Sequence, residues 1–191
     1  DVQCRSQGGY DLLPANRELA GAEVEMVELE ERETRLKSAL AEVVANYDYI
    51  LIDCPPALNL LTVNALTAAD AVMIPMQCEY YALEGLSDLV QTIKKVRAHL
   101  NPNLAIEGLL RTMFDPRNTL AQQVSNQLLA HFGNKVYRSI IPRNIRLAEA
   151  PSFGASAYQF DKNCKGGLAY QALAQEVLGK LPQPEVQHEA S

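Results

Sequence analysis

The segment Tyr49-Ile50-Leu51-Ile52-Asp53-Cys54-Pro55-Pro56 constrains this chain more than any other. Its apolar run is short and has no helical period, the pattern of a strand buried in a parallel sheet. The paired prolines that follow exclude helix and enforce a turn. Asp53 is thereby expected at the carboxyl end of a strand, the place where open α/β sheets bind ligands. A carboxylate there can hold Mg²⁺, directly or through water, or position water at a phosphate. It can equally cap the next helix or close an Asx turn, and the segment alone leaves both readings open. The phosphate loop that accompanies such an aspartate, G-x-x-x-x-G-K-[ST], does not occur in the 191 residues.

Around this segment the pattern alternates strands and helices. Residues 1–28 read as an entry segment with a Gly8-Gly9 turn and a short charged helix. Residues 30–46 are helical in period, with Leu36, Leu40, Val43 and Val44 on one stripe. Leu58 to Ala69 suits a helix, Ala71 to Pro75 a strand, and Ala82 to His99 a long helix closed by Asn101-Pro102. The third strand is Ile106 to Thr112. A helix follows from Leu120 to Phe132, ended by Gly133, and then a strand from Val136 to Ile141 halted by Pro142. Ile145 to Ala150 is a short helical element and Pro151 to Gly167 a loop. The last helix runs from Leu168 to Leu178, with Gly166-Gly167 as the turn into it. Such alternation means βαβ crossovers and a mostly parallel sheet flanked by helices, a three-layer α/β fold. The domain is expected over residues 1–180, with 181–191 a frayed, proline-broken tail.

Composition narrows the function classes. No apolar run reaches the length of a membrane span, and no basic-then-apolar leader opens the sequence, so membrane insertion and secretion are not expected. The four cysteines and three histidines are scattered without metal-ligand spacing, which suits reduced cytoplasmic thiols and no structural metal. The net charge of −6 argues globally against nucleic acid, but its distribution is uneven. Residues 1–110 hold 8 Lys+Arg against 17 Asp+Glu, whereas residues 111–180 hold 9 against 4. A basic stretch on an acidic protein can still form a local electrostatic footprint.

Five blocks in order carry a family resemblance. They are Tyr49 to Pro56, Leu61-Thr-Val-Asn-Ala-Leu-Thr-Ala-Ala-Asp70, and Ile74-Pro-Met-Gln-Cys-Glu-Tyr-Tyr-Ala-Leu-Glu-Gly85. Thr112-Met-Phe-Asp-Pro-Arg117 and Ile141-Pro-Arg-Asn-Ile-Arg-Leu-Ala-Glu-Ala-Pro151 complete the set. From about Gly9 to Gly179 the chain resembles the ParA/Soj branch of the deviant Walker ATPases, the partitioning relatives of MinD. The resemblance implies an incomplete P-loop NTPase-like fold and an ATPase of chromosome or plasmid partitioning. That protein would be cytoplasmic and nucleoid-associated, and would bind ATP with Mg²⁺ as a face-to-face homodimer. It further implies non-specific binding of double-stranded DNA, and hydrolysis timed by a ParB/Spo0J-like partner, with no membrane association.

Residue by residue, the resemblance makes Asp53 the aspartate of the switch-like loop, catalytic and holding Mg²⁺ through water, with Pro55 and Pro56 shaping its turn. Met113 falls where a strand edge meets the adenine, and Pro142, Arg143 and Asn144 on the loop around the base. Arg117 and Arg146 match the arginines that touch DNA. Both lie in the basic stretch, where phosphate contacts would confer affinity without sequence preference. Glu79-Tyr80-Tyr81 belongs to the family pattern, with no chemical role derived for it.

The departure is at the start. Members of the family open with a strand, a Gly-rich loop carrying two lysines, and a helix; neither Gly8-Gly9 nor Lys165-Gly166-Gly167 supplies these. A nucleotide's phosphate charges then lack their nest of backbone N–H groups. The 191 residues alone are therefore expected to bind ATP poorly and hydrolyse it negligibly. The alternative reading is a non-catalytic DNA-binding or scaffold fragment. A MinD-like division-site ATPase ranks lower, because residues 181–191 lack the basic amphipathic character of a membrane helix. A small-molecule dehydrogenase would need G-x-G-x-x-G after a strand, which these residues do not contain.

Overall fold

The computed structural model describes residues 3–16, 18–55 and 58–180. Pro56 and the tail at 181–191 lie outside the described residues. The chain groups into two compact units, Asp1–Met73 with Leu83–Glu107, and Ile74–Ala82 with Gly108–Ser191.

The first unit opens with a small antiparallel hairpin of β1 (Cys4–Arg5) and β2 (Asp11–Leu12). Its turn uses Gly9 at φ 86°, a left-handed backbone that glycine adopts without steric cost. Tyr47 donates its hydroxyl to Asp11, and Arg5 pairs with the same carboxylate. These two partners hold the Asp11 carboxyl below the usual carboxylate range, Arg5 most strongly. Helix α1 spans Glu18–Met26, α2 Arg35–Ala41, and α3 Leu60–Ala68. Asn59 caps α3 by accepting from the Thr62 N–H at 3.0 Å.

Residues 30–46 do not form the single helix that their period predicts. Glu31 sits at φ 52°, outside helical space, and only Arg35–Ala41 is α-helical, with a 3-10 turn at Val44–Asn46. The buried Asn64 of α3 holds this irregular backbone in place. Its Nδ2 donates to Arg32 O at 2.7 Å and Leu60 O at 3.0 Å, and its Oδ1 accepts from the Leu36 N–H at 3.1 Å. Asn101, also buried, donates to Leu66 O and Ala69 O and so satisfies carbonyls at the end of α3 that have no intrahelical partner.

The Tyr49–Ile52 run, expected as a strand, is not one. Tyr49 is half exposed and Leu51 is 93 % exposed, and no strand pairs with the run among the described residues. Apolar composition supplies only the side chains of a strand. The ladder that satisfies its N–H and C=O groups has to come from a neighbour.

The chain also forms a three-stranded sheet, in the order β3-β4-β5. Its strands are β3 (Ala71–Gln77), β4 (Ala105–Phe114) and β5 (Val136–Pro142), with β4 and β5 parallel. Gly108 to Arg111 are all buried, as expected of a strand covered on both faces. A Cβ on Gly108 would meet Tyr137 Cε2 at 2.6 Å and Lys135 O at 2.9 Å, so the glycine is what lets the fully buried Tyr137 ring lie against β4.

The β4–β5 crossover runs through α5 (Thr119–Phe132), whose buried Ala121, Val124, Ser125 and Leu128 recur at helical spacing. Asn118 caps its start and Gly133, at φ 52°, its end. Then follow α6 (Ile145–Glu149), α7 (Ala157–Phe160) and α8 (Lys165–Lys180), with α5 and α8 packed on β5. Helix α4 (Ala82–His99) matches its expected span and buries Leu86, Ile93 and Val96.

Gly166 and Gly167 are not the turn into α8 but its first turn. Side chains there would strike Leu147 at 2.5 Å and Asp161 O at 2.9 Å, so their smallness serves packing. The result is a mixed α/β fold with a largely parallel sheet flanked by helices.

Candidate functional site

Two loops leave the carboxyl ends of neighbouring parallel strands, the position that α/β sheets use for ligands. Met113 lies near the end of β4, and the loop beyond it carries Asp115 and Arg117; Pro142 ends β5, and beyond it come Arg143 and Asn144 and then Arg146 on α6. Phe114 pairs in register with Pro142, and the Arg143 N–H donates to Phe114 O at 3.3 Å, which ties the loops together. Met113, next to Phe114 in β4, thus lies close to Pro142 and Arg143, and Asn144 and Arg146 follow them along the chain.

Met113 lies at a break in the strand. Its φ is 48°, left-handed and costly for a side chain without a short polar group, and the β4–β5 register shifts between Arg111 and Phe114. The side chain is 43 % exposed, so Met113 is not plain core. Pro142 ends β5 in a half-buried position. Asn144 caps α6, its Oδ1 accepting from the Arg146 N–H at 2.9 Å.

Arg117 and Arg146 are held by carboxylates. The Arg117 side chain is 89 % exposed, and its guanidinium binds Asp115 in a fork, Nε to Oδ1 at 3.0 Å and Nη2 to Oδ2 at 2.8 Å. Asp115 Oδ1 also accepts from the Arg117 N–H at 3.0 Å. Arg117, with a smaller contribution from Arg143, lowers the Asp115 carboxyl to about 2. Arg146 donates from Nη1 to Glu149 Oε2 at 2.9 Å, places Nε 3.7 Å from Asp161 Oδ2, and lies over the Phe160 ring. Phe160 stacks in turn on Phe153. Composition counted these arginines as free positive charge and passed over their partners. The D-x-R spacing of Asp115 and Arg117 and the i,i+3 spacing of Arg146 and Glu149 were the local signals that could have found two of the three.

A further residue escaped the sequence reading. Arg111, counted in the basic stretch, is buried on β4, donating from Nη1 to Ser125 Oγ at 3.0 Å and from Nη2 to Tyr137 O at 2.8 Å. Burial lowers its guanidinium from the usual arginine range, and burial raises the thiol of the neighbouring Cys78 against the pull of that charge.

Asp53 belongs to the first unit, as does Pro55; both are exposed on the segment after Ile52. The Cys54 thiol beside it is raised, by the atoms packed around it and then by the Asp53 charge. Among the described residues no three His, Cys, Asp or Glu side chains gather as a metal cage. An exposed single carboxylate fits a cation held mainly by water and a ligand's phosphates. In the second unit, Met76, Gln77, Glu79, Tyr80, Tyr81 and Ala82 line a shallow depression with Asn118 and Leu120, where the exposed Tyr80 and Tyr81 rings meet edge to face. No helix among the described residues is long and apolar enough to cross a membrane.

Residues 2–106 match the AAA domain family. The chain is 52 % identical over 174 residues to the chromosome partitioning protein ParA of Caulobacter vibrioides, a match covering 90 % of this chain and 65 % of that one. It is 55 % identical over 176 residues to the sporulation initiation inhibitor protein Soj of Bacillus subtilis, covering 92 % and 70 %. Among solved structures it resembles cobyrinic acid a,c-diamide synthase from Mycobacterium smegmatis with bound ATP analog and magnesium. That match has a TM-score of 0.77 at 36 % identity and covers 93 % of this chain and 65 % of that one. The chain spans about two thirds of the length of these relatives. With the strand-end loops, the sheet order and relatives of this identity together, the chain belongs to the ParA/Soj/MinD-like family of deviant Walker ATPases.

Proposed function

We propose that this chain is the greater part of an ATP-driven DNA-partitioning switch that grips duplex DNA through Arg117 and Arg146. The observation that carries the reading is the placement of both arginines, exposed, just beyond the ends of β4 and β5, Arg117 on the loop after β4 and Arg146 on α6 after β5. Phosphate contacts from such loops give affinity independent of base sequence. The Caulobacter and Bacillus relatives, named for partitioning and sporulation control, support the same reading.

In this proposal ATP lies with its base against the slot of Met113, Pro142, Arg143 and Asn144. The thioether and the proline ring supply an apolar surface, and nearby backbone groups supply polar contacts. Asp53 holds Mg²⁺ through water, with Pro55 and Pro56 setting the turn. The magnesium and ATP analog bound to the cobyrinic acid a,c-diamide synthase support this pairing of cofactors. The active species is a nucleotide-bound homodimer in the cytoplasm, on the nucleoid, with its hydrolysis timed by a ParB/Spo0J-like partner.

The test is ATP turnover by the gene's full-length product, measured with and without duplex DNA and compared with the 191 residues alone. Turnover that rises with DNA in the full-length product, and is negligible in the 191 residues, is expected. A full-length product without turnover overturns the ATPase reading and leaves the non-catalytic DNA-binding fragment.

A further inference from the structure

Residues 111–180 contain four acidic side chains, Asp115, Glu149, Asp161 and Glu176. Three of the four lie against Arg117 or Arg146. The fourth, Glu176, accepts from the backbone N–H groups of Arg138 and Ser139, both at 2.8 Å. In a stretch with nine basic residues, carboxylates spread without preference would not gather on two of them.

We infer that Asp115, Glu149 and Asp161 are electrostatic counterweights that set how tightly Arg117 and Arg146 hold the phosphates of a nucleic-acid duplex. This rests on the DNA reading above and adds its regulation. The fork on Asp115 takes the Arg117 Nε–H and one Nη2–H, so a phosphate must either displace the carboxylate or approach a guanidinium already neutralised. Arg146 faces two carboxylates, one on its own helix turn and one fifteen positions along the chain. Asp115 keeps its charge far below neutral pH, so its opposition to a phosphate is constant under cellular conditions. Exposed ion pairs of this kind are weak. They temper polyanion binding without abolishing it, which suits a protein that must let go of DNA as well as hold it.

The experiment uses the full-length gene product with ATP and Mg²⁺, and a fluorescently labelled duplex of arbitrary sequence, titrated at several salt concentrations. Asp115→Asn and Asp161→Asn keep an acceptor of nearly the same shape while removing the charge, and Glu149→Gln does the same on α6. Each should bind roughly two- to fivefold more tightly at fixed salt. Each should also steepen the salt dependence, by up to about one unit in the log–log slope, as a freed arginine releases an additional counterion. Glu84→Gln, an equal charge change at an exposed position of α4, should leave both quantities at the wild-type value.

The failures are distinguishable. If Arg117→Ala and Arg146→Ala bind as the wild type does, the DNA reading fails. If those variants weaken binding while the carboxylate variants leave affinity and slope unchanged, or reduce them, the counterweight inference alone is overturned and the carboxylates merely position the arginines. A gain equal to that of Glu84→Gln also overturns it, since net charge would then explain everything.

Discussion

Gly108→Ala is the substitution whose cost the structure sets most sharply. The new Cβ would fall 2.6 Å from Tyr137 Cε2, 3.0 Å from Tyr137 Cδ2 and 2.9 Å from Lys135 O. Tyr137 is fully buried, so its ring has no solvent side into which to turn. Lys135 O belongs to the backbone entering β5 and can give way only if the strand shifts. Overpacking a filled site costs about 1–3 kcal/mol, and the backbone contact puts this position toward the upper half, about 2–3 kcal/mol. For a chain of this size that lowers Tm by about 4–12 °C.

Urea unfolding followed by circular dichroism should show the midpoint falling while the slope m stays constant, the sign of a native-state effect. A double-mutant cycle separates the two contacts. In a Tyr137→Leu background the ring atoms are gone and the alanine should cost at least about 1 kcal/mol less, the remainder belonging to Lys135 O. If Gly108→Ala leaves the midpoint within error, or if its cost is the same with and without the Tyr137 ring, the packing account of β4 is wrong.

Other outcomes follow from single contacts. Asn64→Ala removes three hydrogen bonds, and at about 0.5–1.5 kcal/mol each should destabilise by about 2–4 kcal/mol, measured by thermal unfolding. Ser156→Ala breaks the capping box that Ser156 makes with Gln159 at the start of α7, costing about 1 kcal/mol in the same assay. The Asp115 carboxyl carbon, followed by NMR, should titrate at about 2, and Arg117→Ala should return it toward the ordinary aspartate value. Because its folded value is depressed, this carboxylate's contribution is present above the unfolded value of 3.8. It is lost as pH falls through about 2, so Arg117 is released only in strong acid.

How much of this was legible in the residues depends on whether the signal is local. Helices α4 and α5 read correctly because period and terminating Asn-Pro or glycine sit within or next to the segment. Strands β3 and β5 read correctly as short apolar runs between turns. Tyr49 to Ile52 has the same composition and is not a strand, since pairing depends on a neighbour that the segment does not contain. Gly166-Gly167 read as a turn because two glycines usually mean backbone freedom, whereas here they make room for Leu147 and the chain at Asp161.

The strand-end residues were legible only through the five blocks together. Met113 gave no hint of its left-handed backbone, which falls at the register break between β4 and β5. Charge counting included Arg111 in the basic stretch, though its guanidinium is buried against Ser125 and Tyr137 O. Asp161 could not be matched to Arg146 from spacing, because the turn through Pro151–Gly154 and α7 is what brings them together.

We have proposed that Arg117 and Arg146 are the phosphate contacts of a DNA-binding switch. The most direct measurement is duplex affinity against salt for the ATP-loaded full-length protein and its Arg117→Ala, Arg146→Ala double variant. The double variant should bind at least about tenfold more weakly at low salt, uniformly across sequences, with a log–log slope shallower by about two. An affinity and slope equal to those of the wild type would contradict it.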